Sequence, residues 1–201
     1  MAAAKVGQKF NSALNTAIVS GDGVGRPMGL LNAACKITVA AESGQGAASV
    51  VFKNILKMWA RLPVGSRMKA VWLCHPDVEQ QLQQLVMTGT NPNAGIFLPG
   101  GSIINAGAAT LLGRPLVVNE ACQALGTEGD IILTDLSQYL VVTKTGGMRS
   151  DVSIHLWFDS SVTAFRFVMR VGGQSYWPSA MARQNGASTA SPIITLNSTR
   201  T

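Results

Sequence analysis

Residues 107–173 read GAATLLGRPLVVNEACQALGTEGDIILTDLSQYLVVTKTGGMRSDVSIHLWFDSSVTAFRFVMRVGG. Five short apolar runs follow one another here, at 116–118, 131–133, 139–142, 152–158 and 163–171. Gly-Arg-Pro, Glu-Gly-Asp, Thr-Gly-Gly and Asp-Ser-Ser separate or bound them. Runs rich in Val, Ile, Thr, Tyr and Phe between such turn residues predict strands. In 152–158 the apolar residues alternate: Val152, Ile154, Leu156 and Phe158 point one way, Ser153, His155 and Trp157 the other. Period two predicts a strand with one buried face. The tight link Asp159-Ser160-Ser161 joins it to 163–171 as a long hairpin, with Arg166 and Arg170 on one side of the second strand.

Outward from this block, the composition narrows the class. The chain has 201 residues, 47% apolar, and its mean hydropathy is +0.23. No window of about 18 apolar residues is present, so no membrane-spanning helix is expected. Only 13% of residues are charged, against roughly 25% in an average domain. High hydropathy without a span predicts a large core or extensive subunit contact, and the low charge favours contact. The net charge of +6 permits an anionic partner without demanding one. Cys35, Cys74 and Cys122 are odd in number and widely spaced, so they predict reduced core thiols rather than a zinc site or disulfides. Lys5, Gln8 and Lys9 interrupt any apolar signal region at the N-terminus, so synthesis inside the cell is expected.

Val6, Phe10, Ala13, Leu14, Ala17 and Ile18 recur at helical steps and predict one helix face ending near Ser20. No N-cap residue precedes it, as though an upstream segment were missing. Residues 21–32, GDGVGRPMGLLN, fail the dinucleotide fingerprint because Arg26 stands where the third glycine belongs. They also lack the Gly-Lys-Ser/Thr ending of a phosphate loop. A backbone turn needing positive φ, with Pro27 fixing its exit, is expected instead. A short strand is predicted around 36–39. Ser49 is the expected cap of a helix running to Leu62, with Val51, Ile55, Met58 and Leu62 inward and Lys53, Lys57 and Arg61 as a basic stripe, read as a solvated face, or alternatively as a contact for an acidic neighbouring subunit or nucleic acid. Residues 70–74 predict a buried strand and 78–87 a helix with Leu82, Leu85 and Val86 inward. The 88–101 loop, rich in Gly, Pro and Asn, is long for a compact domain. A short strand near 180–182 and a polar tail from Gln184 complete the chain.

No reaction centre emerges. His75 and His155 lie far apart in sequence, a GxSxG elbow fails at Ile104, and the ten carboxylates form no DxD or HExxH pattern. No enzyme activity, metal or cofactor is expected.

The order of these phrases is informative. A helix leads to GDGVGRPMGLLN, then strand–helix, then AVWLCHPDV, LLGRPLVVN, EGDIILTDLSQYLVV and a long strand pair bearing Arg166 and Arg170. Over residues 13–182 this resembles the major capsid protein family of tailed bacteriophages, the HK-97-like fold. In that family a GdG…P-Gil turn follows the spine helix, and an "np-d" phrase opens an inner helix. "G-x-PV" and "GD-s-y" mark the central domain, and an "f…R…R" strand closes the peripheral one. Encapsulins share the fold, but these phrases are more similar to the phage branch.

The resemblance implies an α+β fold. Residues 1–22 and 144–177 would form a peripheral domain of spine helix plus long β-hairpin. Residues 23–143 would form an axial domain, a mixed sheet flanked by helices, to which the 178–201 tail returns. The 88–101 loop would point to a pentamer or hexamer axis. It implies a structural subunit of an icosahedral phage or prophage head, made in the host cytoplasm and enclosing double-stranded DNA held non-specifically. Partners would be copies of itself or full-length capsid subunits, with no membrane. The expected turn or subunit-contact residues are Gly21, Gly23, Gly25, Pro27, Phe97, Arg149, Trp157, Arg166, Arg170 and Trp177, and Trp157 and Trp177 are expected to be exposed. The family's N-terminal arm and extended E-loop have no counterpart here, which implies N-terminal truncation. It also suggests a second role, binding capsid subunits to modify or block assembly. Ser161 and Val168 stand where some relatives carry the Asn and Glu of an isopeptide crosslink, so no crosslink is expected.

Overall fold

A computed structural model describes residues 2–83 and 110–200. The predicted 88–101 loop with Phe97, and the end of the 78–87 helix with Leu85 and Val86, lie outside the described residues.

The runs with the strongest continuous apolar character form the middle of a sheet. Strands β1 (Ile37–Val39), β2 (Val71–Cys74), β3 (Thr110–Leu111), β4 (Arg114–Val118) and β5 (Ile131–Thr134) join a last strand, Ile193–Leu196, in the order β1, Ile193–Leu196, β5, β2, β4, β3. The sheet is mixed: β2 pairs parallel with β4 and antiparallel with β5. All four residues of β5 and of Ile193–Leu196 are buried, as expected for strands covered on both faces.

Period two then sorts the core. Trp72, Cys74, Ile131, Leu133 and Ile194 face helix α2 (Phe52–Arg61), whose Ile55 and Met58 are fully buried, and α3 (Pro76–Gln83), which contributes Val78 and Leu82. Leu73, Ile132 and Ile193 face the other way, onto Leu30, Cys35, Cys122 and Val19 near the end of α1 (Ala2–Ser20). At roughly 1.5–3 kcal/mol per buried large side chain, these two layers carry most of the favourable burial.

Four expectations need correction here. Ser49 does not cap α2: its hydroxyl donates to Gly46 O, and Val51 occupies the cap position without a side-chain bond. The basic stripe is partly engaged rather than purely solvated, since Lys57 pairs with Glu42 and Arg61 donates to Thr189 O. The tail is not simply polar. It supplies Ile193–Leu196 to the middle of the sheet, because a four-residue apolar run suffices for a buried strand. Finally, 163–171 is not one strand. It splits at Met169 and Arg170 into β8 (Val162–Val168) and β9 (Val171–Ser175).

The split builds an arm of two successive ribbons. At its root β9 pairs antiparallel with β6 (Tyr139–Thr143), from Tyr139 opposite Ser175 to Thr143 opposite Val171. Farther out β8 pairs with β7 (Arg149–Trp157), and the turn at Phe158–Ser160 closes the hairpin. Residues 144–148 on one side face only Met169 and Arg170 on the other, so the ribbon is offset there. Short strands β10 (Met181–Ala182) and β11 (Thr189–Ala190) pair with each other before the sheet strand Ile193–Leu196, hereafter β12.

Candidate functional site

The turn after α1 ties the arm to the sheet. Gly23 and Gly25 adopt φ of +80° and +67°, the left-handed region that glycine enters without cost. Gly21 is needed for another reason: a Cβ there would lie 2.1 Å from Pro27 O. Inside the turn, Asp22 accepts from Val24 N and from the Arg26 guanidinium at 2.8 Å. The Arg26 hydrogen bond holds the Asp22 carboxyl below its ordinary value. Met28 N–H donates to Gly173 O on β9, and the Tyr139 hydroxyl donates to Met28 O at 2.7 Å. Burial pushes the Tyr139 phenol up. Trp177 is half-buried rather than exposed; its indole N–H donates to Gln138 Oε1 at 2.8 Å.

The hairpin beyond this root is largely uncovered. Val152, paired directly with Phe165, is 59% exposed and Phe165 65%. Ile154, Leu156, Trp157 and Val162 are also at least half exposed. The predicted buried face of 152–158 is therefore open to solvent in the single chain; the side chain of Phe158 is outside the described set. The pairing register shifts between Ser153 and Trp157, which interrupts the predicted alternation, and among the described residues these side chains stay uncovered. A two-stranded ribbon alone is at best marginal in water.

The opposite face is charged. Asp151, cross-strand from Arg166, takes the Arg149 guanidinium at 2.9 Å and that of Arg166 at 3.5 Å. Both arginines are about three-quarters exposed, so each contact is worth no more than about 1 kcal/mol. Arg170 is not on the same strand as Arg166. It lies between β8 and β9, where its carbonyl accepts from Lys144 N–H. Asp151 was missed in the sequence, since only strand register brings it opposite Arg166.

Between α1 and the arm root lies an open cleft of about 550 Å³. Phe10, Leu14 and Ala17 line it from the helix, and Val142 and Val171 from the ribbon. Arg26, Lys144 and Arg170 stand at it as well. Among the described residues no cluster of three His, Cys, Asp or Glu could hold a metal ion. His75 lies beside Asp77 at the start of α3, 3.2 Å away, and His155 is exposed on β7. No helix among the described residues is long and apolar enough to cross a membrane.

Comparison with known proteins bears on what such a surface is for. The chain resembles the solved capsid of an empty GTA particle (TM-score 0.71, 19% identity), covering 96% of this chain and 64% of that one. It resembles the capsid of a native GTA particle equally well (TM-score 0.71, 20% identity, 96% and 69% covered). A structure from Mycobacterium phage Che8 is more distant (TM-score 0.52, 14% identity, 86% and 56% covered). The chain thus spans about two thirds of the length of the GTA capsid chains. No curated protein matches it. The model of the phage capsid family matches residues 1–185, and with an HK-97-like α+β fold behind that match, the chain belongs to the phage capsid family.

Proposed function

We propose that this chain is a structural subunit of an icosahedral head, working through its edges rather than through a pocket. One observation carries the reading: the β7–β8 hairpin leaves large apolar side chains on both strands uncovered, and Leu140, Val141 and Val142 at the arm root extend that exposed apolar surface. Covering a single such side chain stabilises by roughly 1.5–3 kcal/mol, so the hairpin has a strong drive to be covered by a neighbour. Closed symmetry repeats a modest contact many times.

In this reading α1 (within 1–22) and the hairpin (within 144–177) form the peripheral part, and β6, at the end of the axial range, is the strand on which the arm is rooted. The sheet with α2 and α3 forms the axial part (23–143), and 178–201 returns to it through β12. Arg149, Trp157, Arg166 and Arg170 are contact residues, while Gly21, Gly23, Gly25 and Pro27 shape the turn and Trp177 packs beside it. The partners are further copies, as pentamers and hexamers, and the net charge of +6 suits sequence-independent contact with packaged double-stranded DNA. The work is structural, not enzymatic, and its place is the virion.

The test is negative-stain microscopy with sizing chromatography, on the wild type and on Val152→Ser/Phe165→Ser. Rings or shells from the wild type, lost in the double variant while its melting curve is kept, support the reading. A monomer at every concentration, alone or mixed with longer capsid subunits of the family, overturns it.

A further inference from the structure

We propose that the cleft between α1 and the arm root receives the closed end of the β7–β8 hairpin from a second copy of this chain. The proposal rests on the self-assembling subunit described above, and adds which two surfaces meet.

The two surfaces match in character. The cleft has an apolar lining from Phe10, Leu14 and Val171, and cationic Lys144 and Arg170 at its edge. Both cations are exposed, and among the described residues neither is in an ion pair. Arg26, the third cation, is already held by Asp22. The hairpin end is the counterpart. Residues 152–165 contain no Lys or Arg; their ionisable groups are His155 and Asp159. Asp159, at the turn, is exposed, and among the described residues it takes only a 3.4 Å contact from the neighbouring Ser160 hydroxyl. Around it Leu156 is 64% exposed, Trp157 51% and Val162 50%. An aromatic side chain buries about 150–250 Å² when covered. A cleft of about 550 Å³ is in the range that accepts such groups.

The occupant has to come from another molecule. The hairpin starts at Arg149 beside its own cleft and runs nine residues outward. At about 3.3 Å per residue, its closed end lies roughly 30 Å from that cleft. Joining the end of one copy to the cleft of the next is a head-to-tail contact, which closes into a ring when the rotation allows and otherwise continues as a chain.

Charge reversal tests this on the full chain. Sedimentation velocity over a concentration series compares the wild type with Asp159→Lys, Arg170→Glu and the two combined. All substituted positions are exposed, and thermal melts followed by circular dichroism verify the fold. Each single reversal is expected to weaken association at least about tenfold, and the combination to regain most of that loss, because a charge pair is restored in the opposite sense. Trp157→Ser should weaken association without rescue by either reversal. Association unchanged by both single reversals, or a combination no better than the singles, overturns the proposal while leaving the shell reading intact. A wild type that never self-associates overturns it too, and the microscopy of mixed assemblies then decides the shell reading separately.

Discussion

Arg200 and Asp130, 70 residues apart in sequence, form a two-pronged ion pair in which neither side chain touches solvent. One prong is 2.7 Å long. Asp130 also accepts from Ile131 N and Gly126 N, and Arg200 also donates to Asn197 O and Ser49 O. The pair therefore fastens the segment after β12 to the loop before β5 and to the approach to α2.

Removing one member of such a pair strands a buried charge, which costs far more than the pair contributes against an apolar substitute. Arg200→Met is expected to destabilise by about 3–5 kcal/mol in urea unfolding. Adding Asp130→Asn should recover part of that loss, giving a coupling energy of at least about 1 kcal/mol in the double-mutant cycle. Strict additivity would show that the pair does not act as a unit.

Glu128 makes stability sensitive to acid. Burial raises its carboxyl, but hydrogen bonds from Lys36, Thr38 and Thr195 outweigh this and hold it below its ordinary value of 4.5. The Lys36 ammonium is 2.7 Å away, and the threonine hydroxyls lie on β1 and β12, so one carboxylate joins the edge strand to its neighbour. Because the folded value is depressed, this contribution is present above 4.5 and is lost as pH falls through the lower folded value. Glu128→Gln should lower stability at neutral pH and flatten the stability–pH slope below about 4.5. An unchanged slope in denaturant titrations at pH 3 to 6 would contradict the assignment.

Cys74 and Cys122 give the alkaline counterpart. Burial, and then the neighbouring Cys122, Glu79 and Asp130 charges, push the Cys74 thiol up from 9.0 to about 12. Burial and Asp130 push Cys122 up to about 11. A raised folded value means that the stability is complete below 9 and falls as pH rises toward 11 and 12. Cys74→Ala is expected to cost stability at pH 7 through the lost volume, and to show a shallower decline between pH 9 and 11. In native protein at pH 8 both thiols should resist a soluble disulfide reagent until the chain unfolds.

Leu112 and Gly113 form the turn between β3 and β4, with φ of +51° and +71°. Two successive positive φ values are those of a turn that favours Asn-Gly, and leucine there is strained. Leu112→Asn is expected to stabilise by about 0.5–1 kcal/mol. A loss of stability would mean that the 37% exposed leucine contributes packing that outweighs the strain.

These cases also show where the sequence was readable. The turn chemistry around Gly113, Gly129 and Gly146 and the period-two runs located β4, β5, β6 and the hairpin within a residue or three. The stripe Ile55, Met58, Leu62 located the buried side of α2. The ordered phrases led to the right family. Three things were not legible, each for a physical reason. Alternation in 152–158 marks a strand, but neither the register shift between Ser153 and Trp157 nor whether the same chain covers the apolar side. The Asp151–Arg166 contact follows from strand register, and Asp130–Arg200 from tertiary packing, neither of which leaves a local mark. The β12 run is four residues inside polar flanks, too short to outweigh its surroundings by composition, although Pro192 and Asn197 bound it as turn residues bound a strand.

The most direct measurement is hydroxyl-radical footprinting of Phe165 and Trp157 in assembled particles against the dispersed subunit. If the hairpin is an edge that a neighbour covers, both residues label freely when dispersed and are protected several-fold in the particle. Equal labelling in the two states would contradict the account, because the exposed face of the arm would then have no part in holding subunits together.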